Sequence, residues 1–243
     1  MLQIEGRNPV IESLRAGKKI EKIYLEQEIN HDEKITEIIK LAHKQGINLI
    51  YKPKKFMTRV SHTSVHQGVI AFKTEEPDMS LKQLLEKFVQ ERKDPFIIYI
   101  REALYEHNLG AIIRTAECAG ADAVITTPKE TITSSVARAA MGATEHIAII
   151  RESLFNAIKT AKSYGLKVAG IEVAGTEYYY NSDLKGPMML IIGGEDRSLS
   201  EEILNKCDLV VKIPLLGKVN SLNMSVAAAI VIYDKIRQES VKN

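Results

Sequence analysis

Residues 189–230, MLIIGGEDRSLSEEILNKCDLVVKIPLLGKVNSLNMSVAAAI, decide the fold. Two short apolar runs, Met188–Ile192 and Leu209–Ile213, are rich in branched residues and flanked by chain breakers. Such runs read as strands buried on both faces of a parallel sheet. The first ends in Gly193-Gly194-Glu195 and the second in the loop from Pro214 to Gly217. In open α/β sheets, ligands bind where the carboxyl ends of strands meet loops of this kind. The second loop runs through Ser221-Leu222-Asn223 into an alanine-rich helix, and Asn223 is placed to cap it by accepting an orphan main-chain N–H.

Upstream the same alternation extends back to Pro95. Strands are expected at Phe96–Ile100, Ala123–Thr126, Ile147–Ile150 and Leu166–Ile171. Helices are expected at Ala111–Ala119, Ser134–Met141 and Leu154–Tyr164, each stopped by a nearby glycine, and a last one at Asn223–Arg237. Glu106 to Gly110 reads as a loop. With the two strands of the opening stretch, this predicts about six parallel strands covered by helices on both faces.

Residues 1–73 form a separate, smaller α/β alternation. Strands are expected at Ile20–Leu25, Ile47–Tyr51 and Val69–Phe72, with helices at Val10–Ala16, at His31–Gln45 and after Lys52-Pro53. Between the two lies a linker, 74–94, polar at first and then amphipathic through Leu81, Leu84, Leu85 and Phe88, with Ser80 as its N-cap. The expected organisation is thus 1–73, a partly helical linker 74–94, and 95–243.

The formal net charge of +2 conceals an asymmetry: residues 1–73 hold 13 Lys/Arg against 8 Asp/Glu, and the remainder is slightly acidic. A basic front of this kind fits contact with a polyanion. Lys52, Lys54, Lys55 and Arg59 crowd one segment close to His66-Gln67-Gly68, a cluster able to neutralise RNA phosphates; the alternative is a solvated helix face. His66 has no local carboxylate or nucleophile partner and reads as a loop hydrogen-bonder rather than a catalyst.

Several classes are disfavoured. No run has the length of a membrane span, and the N-terminal residues lack a signal-peptide pattern. Cys118 and Cys207 have no companions at metal-ligand or disulfide-framework spacing, so a cytoplasmic protein without a structural metal is expected. The GxGxxG, GxxxxGK[ST], GxSxG and HExxH signatures are absent. What remains is three polar groups at expected strand ends: Asn108 with Arg114, Glu195, and Ser221 with Asn223. Singly, each has a plainer reading: Asn108 as a helix cap, Glu195 as a surface carboxylate, Arg114 as its ion-pair partner.

Together these residues carry a resemblance. Asn108-Leu109-Gly110-Ala111-Ile112-Ile113-Arg114-Thr115-Ala116, Ile192-Gly193-Gly194-Glu195 with Leu199-Ser200, and Ile213-Pro214 through Gly217 to Ser221-Leu222-Asn223-Met224-Ser225-Val226-Ala227 resemble the three motifs of the SpoU family. These are S-adenosylmethionine-dependent RNA ribose 2′-O-methyltransferases of the SPOUT class. Gly6-Arg7-Asn8-Pro9-Val10 and His66-Gln67-Gly68-Val69 are similar to the L30e-like substrate-binding domain of the rRNA-modifying branch.

The resemblance implies a C-terminal trefoil knot, which periodicity cannot reveal and general topology rules disfavour. It implies a homodimer joined through the knot helices, and S-adenosylmethionine held by backbone groups around Gly193, Ile213, Leu215, Gly217 and Leu222. Arg114 matches the catalytic arginine, while Asn108, Glu195, Ser221 and Asn223 match positions that orient it, the ribose and the cofactor. RNA-binding falls to Lys52, Lys54, Lys55, Arg59 and His66, and rRNA, specifically 23S rRNA, is favoured as substrate. The lead-in Arg101 to His107, Gly194, and Asp196-Arg197-Ser198 depart from the family pattern, which touches the target more than the reaction. The competing readings are the same reaction on tRNA, a catalytically silent RNA-binding relative, and an α/β enzyme with another nucleotide cofactor.

Overall fold

The computed structural model describes residues 1–63, 65–74, 79–194 and 198–240. In chain order it contains β1 (Leu2–Glu5), α1 (Arg7–Arg15), β2 (Ile20–Glu26), α2 (Glu33–Lys44), β3 (Asn48–Lys52), α3 (Lys54–Val60) and β4 (Val69–Lys73). Next come α4 (Leu81–Glu91), β5 (Phe96–Ile100), α5 (Glu106–Cys118), β6 (Ala123–Thr126), α6 (Ser134–Ala139), β7 (Ala148–Arg151), α7 (Leu154–Ser163) and β8 (Lys167–Ile171). The remaining elements are β9 (Glu177–Tyr178), β10 (Met188–Ile192), α8 (Glu201–Leu204), β11 (Leu209–Lys212) and α9 (Met224–Ser240).

The elements sort into two compact units, the first holding the described residues of 1–77 together with Ile132–His146. Its mixed sheet has the order β1-β4-β2-β3, with β4 antiparallel to both neighbours and β2 parallel to β3. One face carries Ile4, Ile23, Leu25, Val69 and Ala71 into a core with Val10, Leu14, Ile35 and Ile38 of α1 and α2. Strand β1 is absent from the sequence reading: LQIE is short and half polar. Its Glu5 is fully buried, and the carboxylate accepts hydrogen bonds from Gln3 Nε2 (2.6 Å), Ser61 Oγ (2.6 Å), the His62 amide (2.6 Å) and Thr63 Oγ1 (2.5 Å). Burial raises the Glu5 pKa, but these donors outweigh it and hold the carboxyl below its usual range. The segment Ile132–His146, expected in the second domain, is tied to this unit by the Lys73–Glu145 ion pair (2.7 Å), of which the Glu145 side chain is 2% exposed.

The second unit is a seven-stranded sheet, β7-β6-β5-β10-β8-β11-β9, in which every pairing is parallel. The apolar runs Phe96–Ile100 and Met188–Ile192 are buried at every position, as strands covered on both faces must be. On one face α4 and α7 pack with Ile97, Tyr99, Ile125 and Ile191. The stretch read as a connector therefore contributes a helix to this core, started by a capping box between Ser80 and Gln83. Helices α5 and α9 pack against each other and against β6, β8 and β10. The loop expected at Glu106 to Gly110 is instead the first turn of α5, because Asn108, Leu109 and Gly110 are buried. No helix of the described residues is long and apolar enough to cross a membrane.

The far end of α9 is pinned by a buried lysine. Lys235 is 1% exposed, and its ammonium donates to the carbonyls of Leu184 (3.1 Å) and Gly186 (2.9 Å) and to Glu239 Oε1 (2.6 Å), over the ring of Phe96. One helical turn on, Gln238 accepts from the Leu184 amide (3.0 Å) and donates to the Ser182 carbonyl (3.0 Å).

Lys235→Met keeps the apolar stem and strands two carbonyls, at about 1–3 kcal/mol for each unsatisfied group. A urea titration of this variant is expected to show a loss of about 2–6 kcal/mol with unchanged slope. Glu5→Gln is expected to lower stability at neutral pH by about 1–3 kcal/mol. A carboxyl with a depressed folded pKa stabilises above its unfolded pKa, and that stabilisation is lost as pH falls through the folded value. The gap between parent and Glu5→Gln should therefore close on acidification, which paired urea titrations at stepped pH would measure.

Candidate functional site

The register aligns Ile100, Ile192 and Ile171 on adjacent strands, with Val211 beside Ile171. The residues that follow the first three, Arg101, Gly193 and Glu172, leave the sheet along one carboxyl edge, while β11 runs one residue further, to Lys212. Two of them hold the loop that follows β10. Arg101 Nη1 donates to the Ser198 carbonyl (2.6 Å), and Glu172 Oε2 accepts the Leu199 amide (2.8 Å). Glu172 Oε1 also accepts the Val173 amide (2.9 Å), so both carboxylate oxygens are engaged in shaping this edge. Sequence reasoning missed both residues, although a polar side chain directly after an apolar strand run was visible in each case. Glu195, expected among the catalytic groups, lies outside the described residues.

The second feature is an asparagine pair. Asn223 Nδ2 donates to Asn108 Oδ1 (3.2 Å), joining the start of α9 to the first turn of α5. Its Oδ1 accepts the amides of Ser225 (2.9 Å) and Val226 (3.4 Å) and the Ser225 hydroxyl (2.7 Å), the capping geometry expected from the sequence. Arg114 also sits on α5, but on its exposed face, roughly 120° round the helix from Asn108 at about 100° per residue. It makes no hydrogen bond or ion pair with a described residue. Ser221 is exposed beside Asn223. The structure thus brings Asn108 and Asn223 together and leaves Arg114 and Ser221 open to solvent. At the start of α5, burial and then the charges of Glu102 and Glu106 push the Glu130 carboxyl up.

The expected cofactor positions occupy two loops on this side of the sheet. Gly193 follows β10 directly; a Cβ there would lie 3.6 Å from Glu172 Oε2 and 3.8 Å from the Leu199 side chain. From Ile213 to Leu222, no main-chain hydrogen bond to a described residue is made. Ile213 and Leu215 are half-buried there, whereas Gly217 is exposed with no atom within 4 Å of its Cβ position. Main-chain donors and acceptors in half-buried residues that bond no described residue can serve a heterocycle with a hydrogen-bonding edge. Among the described residues no three His, Cys, Asp or Glu side chains group as a metal site.

In the first unit, Lys52, Lys54, Lys55 and Arg59 follow one another through the end of β3 and α3, without a carboxylate partner among the described residues. His66 is buried, and its Nδ1 accepts the Gly68 amide (2.9 Å). It lines a recess of about 740 Å³ with Arg7, Asn30, Lys54 and Gln67. Gln67, at φ 51°, accepts the Arg7 amide on its side chain (3.2 Å) and Arg7 Nε on its carbonyl (3.2 Å), binding the two quoted loop motifs to each other.

Comparison with known proteins matches residues 95–233 to the SpoU rRNA Methylase family and residues 3–78 to the RNA 2′-O ribose methyltransferase substrate-binding domain. YacO of Bacillus subtilis (strain 168), assigned to the TrmH family of tRNA/rRNA methyltransferases, is 33% identical over 238 residues, covering 97% of this chain and 95% of its own. A protein of Staphylococcus aureus (strain COL) assigned to the same family is 35% identical over 242 residues, with 97% and 95% covered. In fold, the chain is similar to the SpoU methyltransferase AviRb of Streptomyces viridochromogenes, solved in complex with AdoMet. That match has a TM-score of 0.83 at 19% identity, covering 99% of this chain and 91% of AviRb. An AdoMet-bound rRNA methyltransferase from Sinorhizobium meliloti gives a TM-score of 0.79 at 23% identity, covering 97% and 87%. Matched in both of its parts, the chain belongs to the SpoU family and is an RNA methyltransferase of the SpoU/TrmH group.

Proposed function

We propose that the protein transfers a methyl group from S-adenosylmethionine to a ribose 2′-hydroxyl, with 23S rRNA as the favoured substrate and the cytoplasm as its place of work. The observation that carries this reading is Arg114: an exposed guanidinium with no described carboxylate partner, on the helix whose Asn108 is bonded to Asn223 at the strand-end edge. The loops around Gly193, Ile213, Leu215, Gly217 and Leu222 fit the cofactor, because main-chain groups from Ile213 to Leu222 that bond no described residue complement a purine edge and ribose hydroxyls. When bound, the cofactor supplies an electrophilic methyl on a sulfonium.

The chain's own work is alignment and charge. A ribose hydroxyl becomes an effective nucleophile only as negative charge develops on its oxygen, and a fixed cation beside that oxygen lowers the barrier. A guanidinium does not give up its proton at neutral pH, so Arg114 binds a neighbouring phosphate and stabilises the developing alkoxide rather than acting as base. Asn108 and Asn223 hold α5 and α9 in one register, which fixes where Arg114 stands. Ser221, next to Asn223 and exposed, is available to the ribose, and Glu195 completes the set by its motif position. Holding the reacting groups in line is itself a large part of catalysis.

The same reading includes the trefoil knot and a homodimer. Support for a second copy comes from Val226 and Tyr233, which are 48% and 49% exposed one above the other on α9, and from Leu216 and Val219 of the preceding loop, 98% and 73% exposed. In the first unit, Lys52, Lys54, Lys55 and Arg59 take RNA phosphates, and the recess walled by His66 receives part of the same strand.

Arg114→Ala is expected to abolish methyl transfer to rRNA while leaving S-adenosylmethionine binding by calorimetry within about twofold; turnover near the parent level would overturn the assigned role. Comparing 2′-O-methyl maps of rRNA and tRNA from cells with and without the protein tests the substrate, and a site missing only from tRNA would move the assignment there. Sedimentation is expected to give a dimer that Val226→Glu with Tyr233→Glu converts to monomer.

A further inference from the structure

The sheet of the first unit has a second face. Strand alternation sends Ile23, Leu25 and Ala71 into the core and turns Lys22 and Tyr24 of β2 and Phe72 of β4 the other way, with Lys22 opposite Phe72 in the register. Helix α3 adds Phe56 and Arg59 to that side. The three rings form one cluster, Tyr24 meeting Phe56 at 5.7 Å and Phe72 at 5.1 Å between centroids, both edge to face. Around it stand three cations: Lys22 lies 5.3 Å from Tyr24 and 5.0 Å from Phe72, Lys52 lies 5.9 Å from Tyr24 and 5.0 Å from Phe56, and Arg59 lies 5.6 Å from Phe56. None of the three makes an ion pair with a described residue, although Glu26 stands opposite Lys52 in the strand register.

Basic side chains interleaved with aromatic rings, and without a carboxylate partner among the described residues, complement a chain that alternates phosphates with flat bases. We propose that this face binds an unpaired RNA segment, its bases stacking against Tyr24, Phe56 and Phe72 and its phosphates meeting Lys22, Lys52 and Arg59. The inference rests on RNA being the substrate and specifies which form of it the first unit grips. A surface cation over a ring is held weakly, and an incoming base replaces it on the ring while its phosphate takes up the freed charge. A paired helix cannot do this, because its bases are already stacked and their faces are out of reach. The face shares Lys52 and Arg59 with the basic segment assigned to RNA phosphates above and adds three aromatic rings to it.

The chain contains no tryptophan, so Phe56→Trp in the full-length protein gives a single reporter that preserves an aromatic ring at the site. Titration with an unstructured oligouridylate of about ten nucleotides, within the ~4–16 nucleotide footprint of single-strand platforms, is expected to quench its emission to saturation. A blunt-ended duplex of two annealed complementary strands is expected to leave the emission unchanged. Lys22→Gln with Lys52→Gln is expected to weaken oligouridylate binding about tenfold or more and to reduce the slope of log affinity against log salt by about 1.4, at ~0.7 per phosphate released on a single strand. Quenching by duplex equal to that by oligouridylate, or oligouridylate binding by anisotropy without quenching, would overturn the proposal, as would a lysine variant with unchanged affinity and slope. Should Phe56→Trp not fold, the lysine variant decides alone. Cofactor binding and methylation of rRNA by the parent protein are read alongside. If both are intact while the face fails these tests, the inference alone falls; if the parent neither binds S-adenosylmethionine nor methylates RNA, the underlying reading falls instead.

Discussion

The site depends on α9 being fixed at both ends. At its start, Asn223 caps the helix and reaches across to Asn108 on α5; near its end, Lys235 and Gln238 take up the main-chain groups of 182–186. The segment between β11 and this helix carries Ile213 and Leu215, whose main-chain groups bond no described residue. With both flanks held, ordering that segment around a ligand costs less conformational entropy than ordering a loop with a loose end. A buried ammonium serves the far pin because it satisfies several acceptors at once. One neutral donor there would leave a carbonyl of Leu184 or Gly186 unpaired.

How much of this could be read from residues alone varies with the kind of force involved. Strands β5, β6 and β10 fall where their apolar runs lie, because a strand buried on both faces needs an uninterrupted run and tolerates little else. The caps at Ser80 and Asn223 were legible for a similar local reason: the side chain bonds within its own turn. Glu106 to Gly110 misled, since three polar residues and a glycine read as a loop, whereas burial against α9 makes them helical. The partner of Asn108 is 115 residues away, and no local signal carries that distance. The same holds for Ile132–His146, whose membership of the first unit rests on the Lys73–Glu145 pair and on packing against β1 and α1. For the site, the structure joins two of the motif residues, Asn108 and Asn223, whereas Arg101 and Glu172, which brace the loop after β10, were not legible, because they act on main-chain acceptors and donors that any sequence supplies.

The total charge of the chain says almost nothing, yet the way charges are partnered says a good deal. Carboxylates at decisive places are engaged internally: Glu5 by the 61–63 turn, Glu172 by Val173 and Leu199, Asp122 by the Phe96 amide and Asp208 by the Val168 amide. The last two reach from the start of one strand to the amide at the start of a neighbour, and so help to set the register that lines up the strand ends. Cations at the surfaces discussed are the reverse. Lys22, Lys52, Arg59 and Arg114 have no described carboxylate partner.

That imbalance bears directly on how such an enzyme can work. An arginine already paired with a carboxylate offers little to an incoming phosphate or alkoxide, since the new anion must first displace the old one. An unpaired arginine on a rigid helix is ready for charge that appears only as the reaction proceeds, and a field already in place does not have to be reorganised at the barrier. In the role proposed for Arg114, a guanidinium that keeps its proton contributes equally across the neutral range, so a dependence of the rate on pH would belong to the group that accepts the hydroxyl proton. On the proposed reading, the chemistry at this edge asks little of titration and much of position, which suits a capped asparagine pair, a backbone loop and a pinned helix.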